Sequence, residues 1–272
     1  MGSEPVIYVK DMYVLDGIKY SLYKQGSLVF VDPQPKNIAA MYSDEYFDED
    51  YASDLQAQDY ESSSFTKRFD KLLELLPKGG KLLEIGCASG HFLNCAKQHS
   101  FKTYGIEINP KMAEKARMQG HSVYCENFIT AQLDKKFDVI YMGHVLEHMT
   151  NPNMAVRKAR QLLNKDGLLL IDVPGYVNSS FYKPLLLLNK IVKLPRFFKM
   201  PGVWKPYHLW EFNKKSLNNL IESNEMQVLY CKGYLNPLNK GNNFLKLIFF
   251  IANKIINITG WQAEGITLLA KK

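Results

Sequence analysis

Glu84-x-Gly86-x-Ala88-x-Gly90 is the first place in this 272-residue chain where residue type and spacing point to chemistry. Small residues there let the backbone come close to a ligand, and the unpaired amides of a following helix start favour electron-rich oxygen. A nucleotide-like molecule is the natural guest. Glu107 lies 17 residues beyond Gly90. A strand-end carboxylate at about that separation can accept both hydroxyls of a ribose, as the acidic residue of nicotinamide sites does. His144-x-x-Glu147-His148 is the third place, and His208, within Trp204-Lys205-Pro206-Tyr207-His208-Leu209-Trp210, is the fourth. A neutral imidazole suits proton removal near neutral pH. Glu147 and His148 can equally cap the helix after Pro152 or brace their loop.

These groups need a scaffold, and the flanking sequence supplies one. Lys81-Leu82-Leu83-Glu84-Ile85 is an apolar run that ends in the small-residue turn and opens onto a helix near Gly90. Phe101 to Glu107 is a second short apolar strand. Asn109-Pro110 follows it with the residue types of an N-cap and first helical position. Phe137 to Met142 is another strand, ending at the His144 loop. A helix over 153–164 and a Gly-initiated strand over 166–173 complete the alternation. Strands at 81–85, 102–107, 121–125, 137–142 and 166–173, with helices between them, predict a parallel, doubly wound sheet. Beyond it, 213–223 reads as a helix, and 226–234 and 265–271 as strands.

The loop admits two readings. A dinucleotide fingerprint requires G-x-G-x-x-G, with a third Gly packing helix on strand. The spacing here instead resembles motif I of the class I S-adenosylmethionine-dependent methyltransferases, E/D-x-G-x-G-x-G, with Ala88 at the middle Gly. Glu107 and the 137–152 segment resemble the next motifs of that family in order, strongly over 65–174. The resemblance implies a Rossmann-like, seven-stranded doubly wound α/β sheet whose last strand is antiparallel, with an N-terminal extension and helical cap inserts. It implies S-adenosyl-L-methionine as cofactor. Glu84, Gly86, Cys87, Ala88 and Gly90 would surround its methionine portion, Glu107 and Ile108 its ribose, Asn127 and Phe128 its adenine, and Met142 and Gly143 its sulfonium. His144, Glu147, His148 and His208 are the candidate catalytic residues. His144-x-x-Glu147-His148 also resembles the E-x-x-E-H of ubiquinone-biosynthesis O-methyltransferases, thought to hold a divalent metal. His144 replaces the first Glu, and no metal is expected.

Composition fits one main domain. With 46% apolar residues the chain can bury a full core. The expected division is an extension over 1–60 and a methyltransferase domain over 61–272, with acceptor-side inserts at about 176–208 and 236–262. Residues 20–51 resemble the flank of bacterial methyltransferases that carry an N-terminal zinc ribbon. The first cysteine is Cys87, so that ribbon would lack its thiolate ligands. An unrelated small β-hairpin region is the alternative. Tyr42, Tyr46, Phe47 and Tyr51 would pack on the cofactor domain or lid its mouth. Cys87, Cys95, Cys125 and Cys231 show no metal-ligand spacing and suggest a reduced, cytoplasmic protein. No signal peptide or membrane span is expected.

Residues 174–209 contain no acidic residue, yet carry Lys183, Lys190, Lys193, Arg196, Lys199 and Lys205 among aliphatic and aromatic side chains, in a chain of net charge +7. A second apolar block with Lys246 and Lys254 repeats the pattern. Basic amphipathic helices suit an anionic or lipid-linked acceptor, or peripheral contact with the inner face of a membrane. Ordinary cap helices with snorkelling lysines are the plainer account. Nucleic acid is not expected, because the charges are mixed with large aliphatic groups. Three functions follow: methyl transfer to a sugar or nucleotide- or lipid-linked glycan; O-methylation of a small lipid-soluble acceptor such as a quinone precursor; or cofactor binding without catalysis. Oligomeric state is left open.

Overall fold

The computed structural model describes residues 5–15, 18–26, 28–35, 70–76, 78–175, 208–234, 243–259, 261 and 265–272. The Tyr42 to Tyr51 aromatic cluster, the basic segment from Lys183 to Lys205, and Tyr207 lie outside the described residues. Two compact units divide the chain. One holds Lys36–Gly143, Asn153–Leu170 and Lys271–Lys272, and the other Met1–Pro35, His144–Pro152 and Ile171–Ala270.

Strands β1 to β3 are Val6–Leu15, Ile18–Gln25 and Leu28–Asp32. They form an antiparallel meander, and Tyr20, Leu22, Val29 and Val31 make its small core. Tyr23 to Gly26 run from the end of β2 into its turn. A two-residue strand far along the chain, β9 (Trp210–Glu211), completes this sheet by pairing antiparallel with β3, Phe30 opposite Trp210.

The second sheet has seven strands in the order β10-β11-β8-β7-β4-β5-β6. Its members are β4 (Lys81–Ile85), β5 (Lys102–Glu107), β6 (Ser122–Cys125), β7 (Phe137–Gly143), β8 (Leu163–Pro174), β10 (Gln227–Tyr234) and β11 (Gly265–Lys271). The sheet is mixed, antiparallel at its last strands, as the resemblance implies. β4 pairs in parallel with β5 on one side and β7 on the other, so the chain changes direction across the sheet there. Ligands of open α/β sheets bind beyond the strand ends at such a switch point. Four of five β4 residues are buried, the near-continuous pattern of a parallel strand covered on both faces.

Helices α1 (His91–Gln98), α2 (Pro110–Met118) and α3 (Pro152–Leu162) connect these strands. Each follows from local chemistry. Asn109 caps α2 by accepting from the Met112 amide at 2.9 Å, with Pro110 at the first position, and Met112, Ala113 and Ala116 form its buried face. Ala155, Val156, Ala159 and Leu162 do the same for α3. The expected helix over 153–164 ends earlier, and β8 begins at Leu163. Asn164 is held instead by its side-chain amide, which donates to Asp138 at 2.7 Å. In the other unit, α4 (Lys214–Glu222) starts on a capping box of Asn213 and Ser216, and α5 is Asn243–Thr259. Among the described residues no helix is long and apolar enough to cross a membrane.

Candidate active site

The cradle is built where β4 ends. The Gly86 and Cys87 amides donate to the Ile106 carbonyl of β5 at 2.8 and 3.3 Å, which bends the chain across the strand tips. Gly86, Ala88 and Gly90 all take positive φ, at 70°, 43° and 88°. Ala88 therefore takes a left-handed backbone that favours glycine, at a cost of about 1–2 kcal/mol. Gly90 opens α1, and no side chain caps that first turn. The Cys87 side chain faces inward. Gly105 must lack a Cβ because one would lie 2.5 Å from the Cys87 sulfur. Burial pushes that thiol far up, with Glu84 and Glu107 adding to the effect, so it is no thiolate nucleophile.

Glu107, at the tip of β5, joins two segments of the cradle. One carboxylate oxygen accepts from the Ala88 amide at 2.9 Å, the other from the Asn109 amide at 2.9 Å. Burial raises its pKa, and the Asn109, Ala88 and Ile108 amides oppose that. Glu84 is buried one strand away, level with Gly105 and Tyr141. Asn127 folds its own turn by accepting from the Ile129 amide at 2.8 Å. Phe128 is buried beneath the Lys158 ammonium, 5.3 Å from its ring. Met142 is fully buried beside Ile85. Gly143 leaves space for the Tyr141 hydroxyl, which a Cβ would meet at 2.3 Å, and the Tyr141 ring stacks on Phe92 at 3.9 Å. The eleven residues named for the cofactor thus fall at the ends of β4, β5, β6 and β7 or in the turns after them.

The second constellation belongs to the other unit and centres on Glu147, which is 0% exposed within the 3-10 turn Leu146–His148. His144 Nδ1 and His148 Nε2 each lie 3.7 Å from the same Glu147 oxygen. His208 packs edge-on against His148, ring centres 4.7 Å apart. The 208 segment is docked by its backbone: the Leu209 amide donates to the Glu147 carbonyl at 2.8 Å, and the Trp210 indole donates to the Met149 carbonyl at 2.7 Å. His208, 60 residues beyond His148 in sequence, is therefore gathered with His144 and His148 around the Glu147 carboxylate.

Their electrostatics differ. Burial alone would raise Glu147, but the hydrogen bond and charge of His144 and the charge of His148 hold it below the usual carboxylate range. Burial, with His148 adding, lowers His208 to about 3. It is neutral across the physiological range, a weak base and no acid. His144 differs again, with a side chain 53% exposed and a left-handed φ of 53° that costs backbone energy. Its amide donates to the Asp172 carbonyl at 2.9 Å, and the Tyr234 hydroxyl lies 3.3 Å from its Nε2. A buried carboxylate at one ring nitrogen orients the imidazole and leaves the other to take a proton. Ligand atoms of Glu147, His148 and His208 lie within 4.8 Å of one another. One carboxylate and two imidazoles suit a divalent transition ion, and metal analysis of the purified protein reads this directly.

Sequence reasoning missed Tyr234 and Asp172. Tyr234 sits 90 residues from His144, and no motif marks it. Asp172 lies in the apolar run of β8, where its side chain accepts from Thr267.

A strand-turn-helix cradle at a switch point, with a carboxylate on the next strand, defines a nucleoside-binding Rossmann-like protein. The family profile described as "Methyltransferase domain" matches residues 51–230, more than half of the chain. The chain belongs to that family, the S-adenosylmethionine-dependent methyltransferases. It is similar to an uncharacterized protein of Methanocaldococcus jannaschii, 29% identical over 50% of this chain and 61% of the relative. It is also similar to the ubiquinone biosynthesis O-methyltransferase of Glaesserella parasuis, 30% identical over 43% of this chain and 54% of the relative. The chain thus spans between half and two thirds of the length of these curated relatives. In fold it resembles the Burkholderia thailandensis 1,6-didemethyltoxoflavin-N1-methyltransferase, solved with 1,6-didemethyltoxoflavin and S-adenosylhomocysteine. That match has a TM-score of 0.60 at 12% identity and covers 97% of this chain and 99% of that one.

Proposed function

We propose that the chain transfers the S-adenosylmethionine methyl group to a hydroxyl of a small acceptor, with His144 as base and Glu147 as the carboxylate that orients it. The acceptor oxygen forms the new O–CH3 bond, the S–CH3 bonding pair stays on sulfur to leave S-adenosylhomocysteine, and the hydroxyl proton goes to His144 Nε2. The observation that carries this is the buried Glu147 carboxylate 3.7 Å from His144 Nδ1, with the opposite ring nitrogen next to a hydroxyl, that of Tyr234. The cofactor would lie along Glu84, Gly86, the Cys87 backbone, Ala88 and Gly90, with its ribose on Glu107 and Ile108. Its adenine would rest by Asn127 and Phe128 and its sulfonium by Met142 and Gly143.

Two acceptor classes are in play. The sugar or linked glycan has the 20–51 flank behind it. The lipid-soluble hydroxyl has the ubiquinone-biosynthesis relatives and the apolar surface of α5, where Leu247, Phe250, Ile251, Ile255 and Ile258 are exposed beside Lys246 and Lys254. An apolar face edged by lysines suits contact with an anionic membrane that carries such an acceptor. We favour the second class. Labelled methyl transfer should therefore appear with demethylated quinone precursors and not with nucleotide sugars. His144→Ala should lower kcat by about 100-fold or more while S-adenosylhomocysteine binding stays within about twofold, well under the 1.4 kcal/mol of a tenfold change. Transfer to nucleotide sugars alone would reverse the acceptor assignment. Cofactor binding without transfer to any fraction of a cell extract would favour a binder that acts through partners.

A further inference from the structure

A line of side-chain hydrogen bonds runs beneath the cofactor loop, and none of the roles above uses it. Thr103 Oγ1 of β5 lies 2.9 Å from His121 Nδ1, and His121 Nε2 lies 2.9 Å from Asn94 Oδ1 on α1. The Asn94 side-chain amide donates to Gln119 Oε1, just past α2. The Gln119 amide then donates to the Ser89 carbonyl at 2.6 Å and to the Lys115 carbonyl at 3.3 Å. Thr103 and His121 are buried, and Ser89 is the residue between Ala88 and Gly90 in the cradle.

The direction of every bond in this line follows from its far end. Two carbonyls can be met only by the Gln119 amide nitrogen, so its oxygen faces Asn94. Asn94 must then present nitrogen to Gln119 and oxygen to His121. His121 therefore carries its proton on Nε2, and its Nδ1 accepts from the Thr103 hydroxyl. Burial favours this neutral form, and the Lys97 charge favours it further. A second contact joins the same ring to the loop. A Cβ on Gly90 would meet His121 Cδ2 at 3.0 Å and the Ala116 methyl at 3.2 Å, so the imidazole packs directly under the last glycine of the motif.

We infer that His121 is a positioning residue for the methyl-donor loop: its Nε2–H donates to Asn94, which fixes the Asn94 and Gln119 amides so that Gln119 N–H holds the Ser89 carbonyl, and its ring sets the height of Gly90. The inference rests on the reading that this loop cradles S-adenosylmethionine. Preorganising the loop lowers the ordering cost of binding, so its loss should appear in cofactor affinity more than in turnover at saturating cofactor.

The test uses calorimetry with S-adenosylhomocysteine and thermal melting of the full chain. A Gln amide reaches the place of an imidazole Nε2, and an Asn amide the place of Nδ1. His121→Gln keeps the donor to Asn94, and His121→Asn keeps only the link to Thr103. His121→Asn and Gln119→Leu should each raise Kd about tenfold, with kcat at saturating S-adenosylmethionine within about twofold, far below the 100-fold or more assigned to loss of a base. His121→Gln should stay close to the wild type, and the double variant His121→Asn/Gln119→Leu should be no worse than either single one. If Gln weakens binding as much as Asn does, the ring acts by packing alone and the relay is overturned. Wild-type affinity in Gln119→Leu overturns it as well, and that variant carries the test should His121→Asn fail to fold. A wild-type protein that does not bind S-adenosylhomocysteine would overturn the cofactor reading instead.

Discussion

Glu107 shows how much one side chain can fix. Both of its oxygens accept backbone amides, one from the loop after β4 and one from the start of α2. A glutamine can accept with only one atom, and its NH2 would face the other N–H. Glu107→Gln should therefore cost about 1–3 kcal/mol of stability and weaken S-adenosylhomocysteine binding. A chemical melt at the wild-type midpoint, or unchanged binding by calorimetry, would remove Glu107 from this role. Its motif position was readable, because a strand-end acid after a glycine turn has a physical reason to be there. Its bonds to Ala88 and Asn109 were not, since they depend on how two turns lie in space. Ala88 is similar: its type was visible, but its left-handed backbone was not.

Elements were the most legible scale. The apolar runs at 81–85, 102–107 and 137–142 became β4, β5 and β7 almost to the residue, because each is bounded by a turn residue or a charge. Periodicity did not reveal β1 or β9, whose two residues form a strand only because β3 is there to pair with. α5 is the element whose surface is least explained by its fold. Among its described residues Ala252 and Ile256 are buried while Ile258 is 85% exposed, so apolar side chains occupy more than one face. If that surface meets lipid, the protein should co-sediment with vesicles containing anionic phospholipid at low salt. Ile255→Glu/Ile258→Glu should abolish this without changing the melting temperature by more than a few degrees, the shift that about 1 kcal/mol would give. Equal sedimentation of wild type and variant, or none by either, ends the membrane proposal.

At the scale of the molecule, His208 joins the local group of His144, Glu147 and His148 through long-range docking that no local pattern carries. His208 reaches Glu147 and His148 because Leu209 and Trp210 bond to the 147–149 backbone. Burying a neutral imidazole there has a thermodynamic signature. In the folded chain His208 titrates at about 3, against 6.5 for an exposed histidine. Below pH 6.5 the unfolded chain takes up this proton and the folded one does not. Stability from this group is thus full above pH 6.5 and falls as pH drops toward 3, by an amount on the order of a few kcal/mol. Denaturant melts in a chelator should show that fall in the wild type and a shallower one in His208→Leu; parallel curves would place the proton elsewhere. The strand β9 also sets an order in time. Leu209 accepts from the Val31 amide through its carbonyl and donates to the Glu147 carbonyl through its amide, so one residue beside β9 ties β3 to the Leu146–His148 turn. During synthesis the first three strands emerge long before their fourth partner exists. The His208 cluster cannot be assembled until the ribosome has released residue 211, and the sheet that carries the cofactor turns gains β10 and β11 only after that point.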